Sequence, residues 1–153
     1  MPNALPHGIQ RITTRIAYED PAAAIAFLEA AFGFQERREK RLEGKGGSII
    51  VAEVMIAESY LMIGPAGSHS LASPKTVGAA TESLMIYIDS IDLHCSKAKL
   101  AGAEIISEPT DQYWGDRRYE AKDLEGHLWF FHERVREVSK EEIAAVEATF
   151  RAD

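Results

Sequence analysis

Cysteine is nearly absent: the 153-residue chain holds one, Cys95. A single thiol cannot close an intrachain disulfide or build a cysteine-rich zinc site. No apolar run approaches the about 20 residues that a membrane-spanning helix requires. Residues 1–20 also lack the apolar core of a secretory leader, so the chain reads as a cytosolic protein. Basic residues are in the minority, 17 Lys and Arg against 24 Asp and Glu, for a net charge of −7. Nucleic-acid binding needs a basic face to meet phosphates, so no nucleic-acid partner and no membrane partner are expected. The acidity serves solubility, and it also suits a cationic small molecule. The 46% hydrophobic content is ordinary for a soluble globular chain of one-domain length.

What is present is an internal repeat. Ile12, Ile16 and Tyr18 alternate with Thr13, Arg15 and Ala17, the pattern of a half-buried strand over 11–18. Asp20 then caps a helix with Pro21 at its first position. Ile25, Leu28 and Phe32 share one face of that helix, and Gly33 ends it. The same unit returns with Leu84, Ile86 and Ile88 alternating against Ser83, Met85 and Tyr87. Ser90 follows as N-cap, with a helix through Leu93 and Leu100 and a stop at Gly102. Three strands follow each helix: 34–41, 48–56 and 60–63 in the first unit, 104–108, 118–123 and 127–133 in the second. Asp123-Leu124-Glu125-Gly126 reads as a type I turn. Residues 64–82, rich in Gly, Ala, Ser and Pro, form the one long connection, either a plain linker or a flap over a cleft. Ser139 and Glu142 make a capping box for a last helix with Ile143, Val146 and Phe150 on one stripe.

Two βαβββ modules, with Gln112-Tyr113-Trp114-Gly115-Asp116-Arg117 ahead of Asp123-x-x-Gly126-His127, resemble the vicinal oxygen chelate superfamily. The likeness is to its glyoxalase/bleomycin-resistance branch, PhnB-like proteins included, and covers about residues 9–135. It implies an α+β fold in which two βαβββ modules form a curved mixed sheet around a cleft. It implies a single domain over 1–153: module one about 9–64, linker about 65–82, module two about 83–135 and a C-terminal helix about 139–151. It also implies a homodimer with grooves between subunits. Metal-using members place four His or Glu ligands on cleft-facing strands. Carried onto this chain, those positions hold Thr13, Met62, Ser83 and Phe130. None suits a divalent metal, which takes His, Cys or carboxylate. A one-residue slip would offer Ile12, Leu61, Leu84 and Trp129, no better. No metal and no cofactor are therefore expected.

Strand parity sorts the rest. Ile12, Ile16, Ile50, Val54, Ile56, Leu61, Ile63, Leu84, Ile86, Ile88, Trp129 and Phe131 should lie under the helices. Arg15, Glu53, Met55, Tyr60, Met62, Met85, Tyr87, Phe130 and His132 should face the cleft, with Trp114 at its mouth. Methionine and aromatic side chains make a soft lining for an organic ligand, or else fill a second core or a dimer interface. Arg15 and Glu53 read as a structural ion pair. The alternative makes Glu53 a base or cation-binding carboxylate and Arg15 an anchor for a substrate acid. His132 is either a proton shuttle or a structural histidine. Asp116 is read as bonding nearby amides, and Arg117 as locking its loop to a carboxylate. The leading expectation is a metal-free small-molecule binding protein resembling bleomycin-type resistance proteins, which sequesters its ligand. The alternatives are a glyoxalase-like lyase or dioxygenase, or a cofactor-free acid–base enzyme using Glu53 and Arg15, with His132 the further catalytic candidate.

Overall fold

A computed structural model describes residues 4–152. Module one runs β1 (Arg15–Tyr18), α1 (Pro21–Phe32), β2 (Gln35–Glu36), β3 (Leu42–Glu43), β4 (Ile49–Ile56) and β5 (Ser59–Pro65). A short helix, α2 (Pro74–Val77), interrupts the connection. Module two runs β6 (Ser83–Tyr87), α3 (Ile91–Leu100), β7 (Glu104–Asp111), β8 (Asp116–Lys122) and β9 (Leu128–Arg134), and α4 (Lys140–Phe150) follows. One sheet has the order β1-β5-β4-β2, with β3 also on β4; the other is β6-β9-β8-β7. β1 and β6 join β5 and β9 in parallel, and the remaining pairs are antiparallel. The α+β class and the repeated βαβββ unit stand as the sequence implied.

The helix-bearing faces of the two sheets turn toward each other. α1 packs against α3, and Phe32 meets Trp129 and Phe131 at ring-centroid distances of 5.4 and 4.8 Å. One continuous core therefore takes Ile16, Leu28, Phe32 and Ile63 from module one with Ile91, Trp129 and Phe131 from module two. Each such fully buried side chain contributes roughly 1.5–3 kcal/mol. The other face of each sheet points outward. The two outer faces are therefore set back to back.

The joint between modules is polar and specific. Tyr18 donates to Asp123 at 2.6 Å, Trp129 Nε1 donates to the same carboxylate at 3.0 Å, and His127 Nε2 reaches the Ala17 carbonyl at 2.8 Å. Glu125, buried, accepts from the Glu19 and Asp20 amides at 2.8 and 2.9 Å and from the Ser73 hydroxyl. The 64–82 connection is thus fastened to this joint through Ser73, and Thr76 and Lys75 both bond Glu19.

Several expected details differ. Ile12, placed under the helices, is 84% exposed, because regular pairing begins only at Arg15. Ile50 is exposed while Ile49 is buried: a register shift against β3 flips parity at the start of β4. The strand expected over 34–41 is two residues long, then a 3-10 turn at Arg38–Lys40. Ser90 does not cap α3 with its side chain; it adopts φ 53, and the Glu133 carboxylate accepts the Ser90 and Ile91 amides at 3.3 and 2.9 Å. The helix runs through Leu93 and Leu100 as read; both are exposed, and its buried face is Ile91, Cys95 and Ala98. The caps on α1 and α4 form as read, with Gly33 at φ 76 closing α1.

Candidate functional site

On the outer face of the β6-β9-β8-β7 sheet, register aligns Tyr87, His132 and Arg118 in one row and Met85, Phe130 and Glu120 in the next. Asp116 opens β8 beneath the first row and is fully buried. Its Oδ2 accepts from Tyr87 Oη at 2.7 Å, Trp114 Nε1 at 2.8 Å and His132 Nδ1 at 3.1 Å, and Arg134 Nε lies 3.2 Å from Oδ1. Burial by itself would raise the Asp116 pKa. The three donors and the arginine charge outweigh it and hold the carboxyl below its ordinary value. The same hydrogen bond to Asp116 pushes the Tyr87 phenol up. His132 donates from Nδ1, which leaves its Nε2 buried with no partner.

Two rings of this cluster flank a cation. The Arg118 guanidinium lies 5.5 Å from the Trp114 ring centroid and 5.3 Å from that of Phe130, and pairs with Glu120 at 3.0 Å. Gly115 makes the loop possible. It sits at φ 102, and a Cβ there would come within 2.4 Å of the Arg136 carbonyl. The Arg134 guanidinium also donates to the Trp114 carbonyl. The sequence singled out Trp114, Phe130, Tyr87 and His132. It missed Asp116, which gathers side-chain donors rather than the nearby amides expected of it. Arg117 does lock the loop, pairing with Asp92 at 3.0 Å and Asp111 at 2.9 Å.

The outer face of the other sheet carries Arg15, Met62 and Glu53 in one row, with Met55 beside Tyr60 in the next. The expected Arg15–Glu53 pair does not form. Glu53 pairs with Arg37 at 3.0 Å, and that guanidinium also lies 5.6 Å from the Tyr60 ring centroid. Arg15 bends the other way, toward the Ile50 carbonyl at 3.4 Å. Tyr60 is buried, covered by Arg37 and by Gln10, whose amide bonds both its backbone groups.

A groove of about 760 Å³ runs between the β6 edge and the Ala57–Ser59 turn. Tyr60, Met85 and Tyr87 line it, as do Phe34, Leu61 and Ile86 from the helix-bearing side. Met85 and Tyr87 thus belong to both the groove and the outer face. They are 64% and 57% exposed, so the most apolar part of the predicted lining lies open. Of the 64–82 connection only its last residue, Glu82, lines the groove.

His94 and Cys95, adjacent on α3, are both engaged within the protein. His94 bonds the Tyr119 hydroxyl at 2.7 Å and the Phe32 carbonyl at 2.9 Å, and burial lowers its pKa. Cys95 is buried, and burial raises its thiol. Among the described residues no three His, Cys, Asp or Glu side chains converge as a metal site. The residues expected at the family's ligand positions, Thr13, Met62, Ser83 and Phe130, are of types that do not suit a divalent ion.

The family model for the Glyoxalase/Bleomycin resistance protein/Dioxygenase superfamily matches residues 8–131. The chain belongs to that superfamily. The uncharacterized protein Mb0911c of Mycobacterium bovis is 30% identical over 139 residues, 88% of this chain and 90% of that one. Among solved structures, TioX from Micromonospora sp. ML1 is 28% identical with a TM-score of 0.66, covering 82% of this chain and 99% of its own. TnmS3, an antibiotic binding protein from Streptomyces sp. CB03234, has a TM-score of 0.63 at 17% identity, over 82% of this chain and 97% of that one, a likeness of fold. No helix of the described residues is long and apolar enough to cross a membrane.

Proposed function

We propose that this protein binds a small organic molecule without metal and holds it unchanged, as bleomycin-type resistance proteins do. The observation that carries this reading is the outward aromatic platform. Trp114, Phe130 and Tyr87 are held rigidly through Asp116 and Arg118, yet they face away from the core beside the open Met85. Preorganised rings at an apolar surface suit a planar ligand, and methionine adapts to its outline. TnmS3 is an antibiotic binding protein built on the same fold.

Each outer face is half a cleft. A homodimer, in which module one of a partner covers module two, would close it. A cationic ligand finds little to meet on these faces, since Glu53 and Glu120 are already paired with arginines. The acid–base alternative loses its pair for the same reason, because Arg15 and Glu53 turn apart.

A thermal-shift screen of planar organic compounds on the full chain, followed by equilibrium titration of the hits, tests the reading. Trp114→Ala should weaken binding on the order of tenfold while leaving the fold intact. The bound compound should be recovered chemically unchanged, and added Zn²⁺ should not alter its affinity. Recovery of a transformed compound, or equal binding by the variant, would sink it.

A further inference from the structure

Arg15 is the exception among the partly buried arginines. Arg37, Arg41, Arg117 and Arg118 are also partly buried, and each pairs with a carboxylate at 2.6–3.0 Å. Among the described residues Arg15 has no carboxylate partner. Its single hydrogen bond is the 3.4 Å contact with the Ile50 carbonyl, and its Nε is buried with no acceptor at all. A desolvated guanidinium donor without an acceptor is costly to keep. The nearest acid across the row, Glu53, is taken by Arg37, so this part of the face keeps an unbalanced positive charge.

Gly64 adds an independent sign that the arrangement is built. It pairs with Ala17 in the neighbouring strand. A Cβ on it would lie 2.5 Å from Arg15 Nη2 and 3.0 Å from Cζ. Its backbone is not in the left-handed region, so no turn demands glycine there. What the missing side chain provides is room for the guanidinium end of Arg15 against the Gly64 backbone, in the row that Arg15 shares with Met62.

We propose that Arg15 is the anion anchor of the ligand site, and that the ligand carries an acidic group, a carboxylate, sulfonate or phosphate, beside its apolar body. A planar fork of N–H donors matches those groups bidentately. The proposal rests on the small-molecule reading above and on the homodimer that would bring Arg15 of one subunit over the aromatic platform of the other, and it assigns the chemistry of one end of the ligand.

Two fluorescent probes of one skeleton test it: anilinonaphthalene sulfonate, which is acidic, and phenylnaphthylamine, which lacks the sulfonate. Wild-type protein should bind the sulfonate more tightly, with an affinity that falls as salt is added. Arg15→Gln should weaken the sulfonate about tenfold or more and leave the neutral probe within about twofold. Arg15→Lys should recover part of the loss. Gly64→Ala keeps the charge but displaces the guanidinium, and should reproduce the selective loss; it carries the test if Arg15→Gln fails to fold. An equal loss of both probes would make Arg15 a structural residue and overturn the proposal. So would sulfonate binding that neither substitution changes. If neither probe binds the wild type, the small-molecule reading falls, and the anchor with it.

Discussion

Asp116 shows how much one buried carboxylate can organise. Its partners come from β6, from the 112–115 loop and from β9, so removing its charge loosens three elements together. Asp116→Asn keeps the shape but strands Arg134 and His132, and should cost about 1–3 kcal/mol at neutral pH in chemical denaturation. Because the folded pKa is depressed, the carboxylate stabilises the protein above its unfolded value of about 3.9, and that contribution drains away as pH falls through the lower folded value. Unfolding titrations should show the wild type losing stability below about pH 4 and the variant lacking that acid limb. The sequence made the rings legible but not the hub. Parity identifies Tyr87, Phe130 and His132 as neighbours on a face, whereas nothing local says that Asp116 will turn inward to meet donors 16 and 29 positions away. The Arg15–Glu53 pair misled for a related reason: register aligns them, but Arg37, on an irregular turn, reaches the carboxylate first.

Two glutamates on and beside β9 seat the two helices. Glu133 takes the amides that open α3, and Glu125 takes the two that precede α1. Glu125→Ala leaves the Glu19 and Asp20 amides and the Ser73 hydroxyl without their acceptor, at about 2–3 kcal/mol in total. That corresponds to a fall in Tm of roughly 5–10 °C for a chain of this size, read by scanning calorimetry. Helix bounds were legible because capping is local: Asp20, Gly33, Ser139 and Glu142 announce their own roles within one turn. Ser90 was rightly placed at the start of α3, but the side chain that caps the helix is that of Glu133, 42 positions along the chain. The 34–41 strand was misread because the chain leaves β4 after Glu36 for a turn at Arg38–Lys40, and the charged run 36–41 carries no hydrophobic alternation that would mark where pairing stops.

The molecule as a whole is a pair of sheets joined through their helices, with the other face of each sheet turned outward. The repeat and its two βαβββ units could be read from hydrophobic alternation; the direction each sheet faces could not, since parity separates two faces without saying which neighbour either one meets. Exposed Met85 and Tyr87 on an edge strand need cover. α4 has the same need: it buries no residue and leans on Tyr113, 5.8 Å from Phe150. Sedimentation velocity should find a dimer at micromolar concentration. Met85→Glu should shift it toward monomer with little change in Tm, because the side chain is already largely in solvent. A wild-type monomer under those conditions would mean that the half-clefts stay open.

The repeat supplies the joint between modules twice, and the chain locks only one. The hairpin at Asp123–Gly126 grips Tyr18 and the approach to α1, whereas its counterpart at Ala57–Glu58 makes no hydrogen bond to β6 among the described residues and leaves the groove in its place. A duplicated hinge that is bolted on one side is spare on the other. Among the described residues the Ala57–Ser59 corner carries none of the duty of holding the halves together, so its residues can change without loosening the joint. Asp123, Glu125 and His127 have no such freedom.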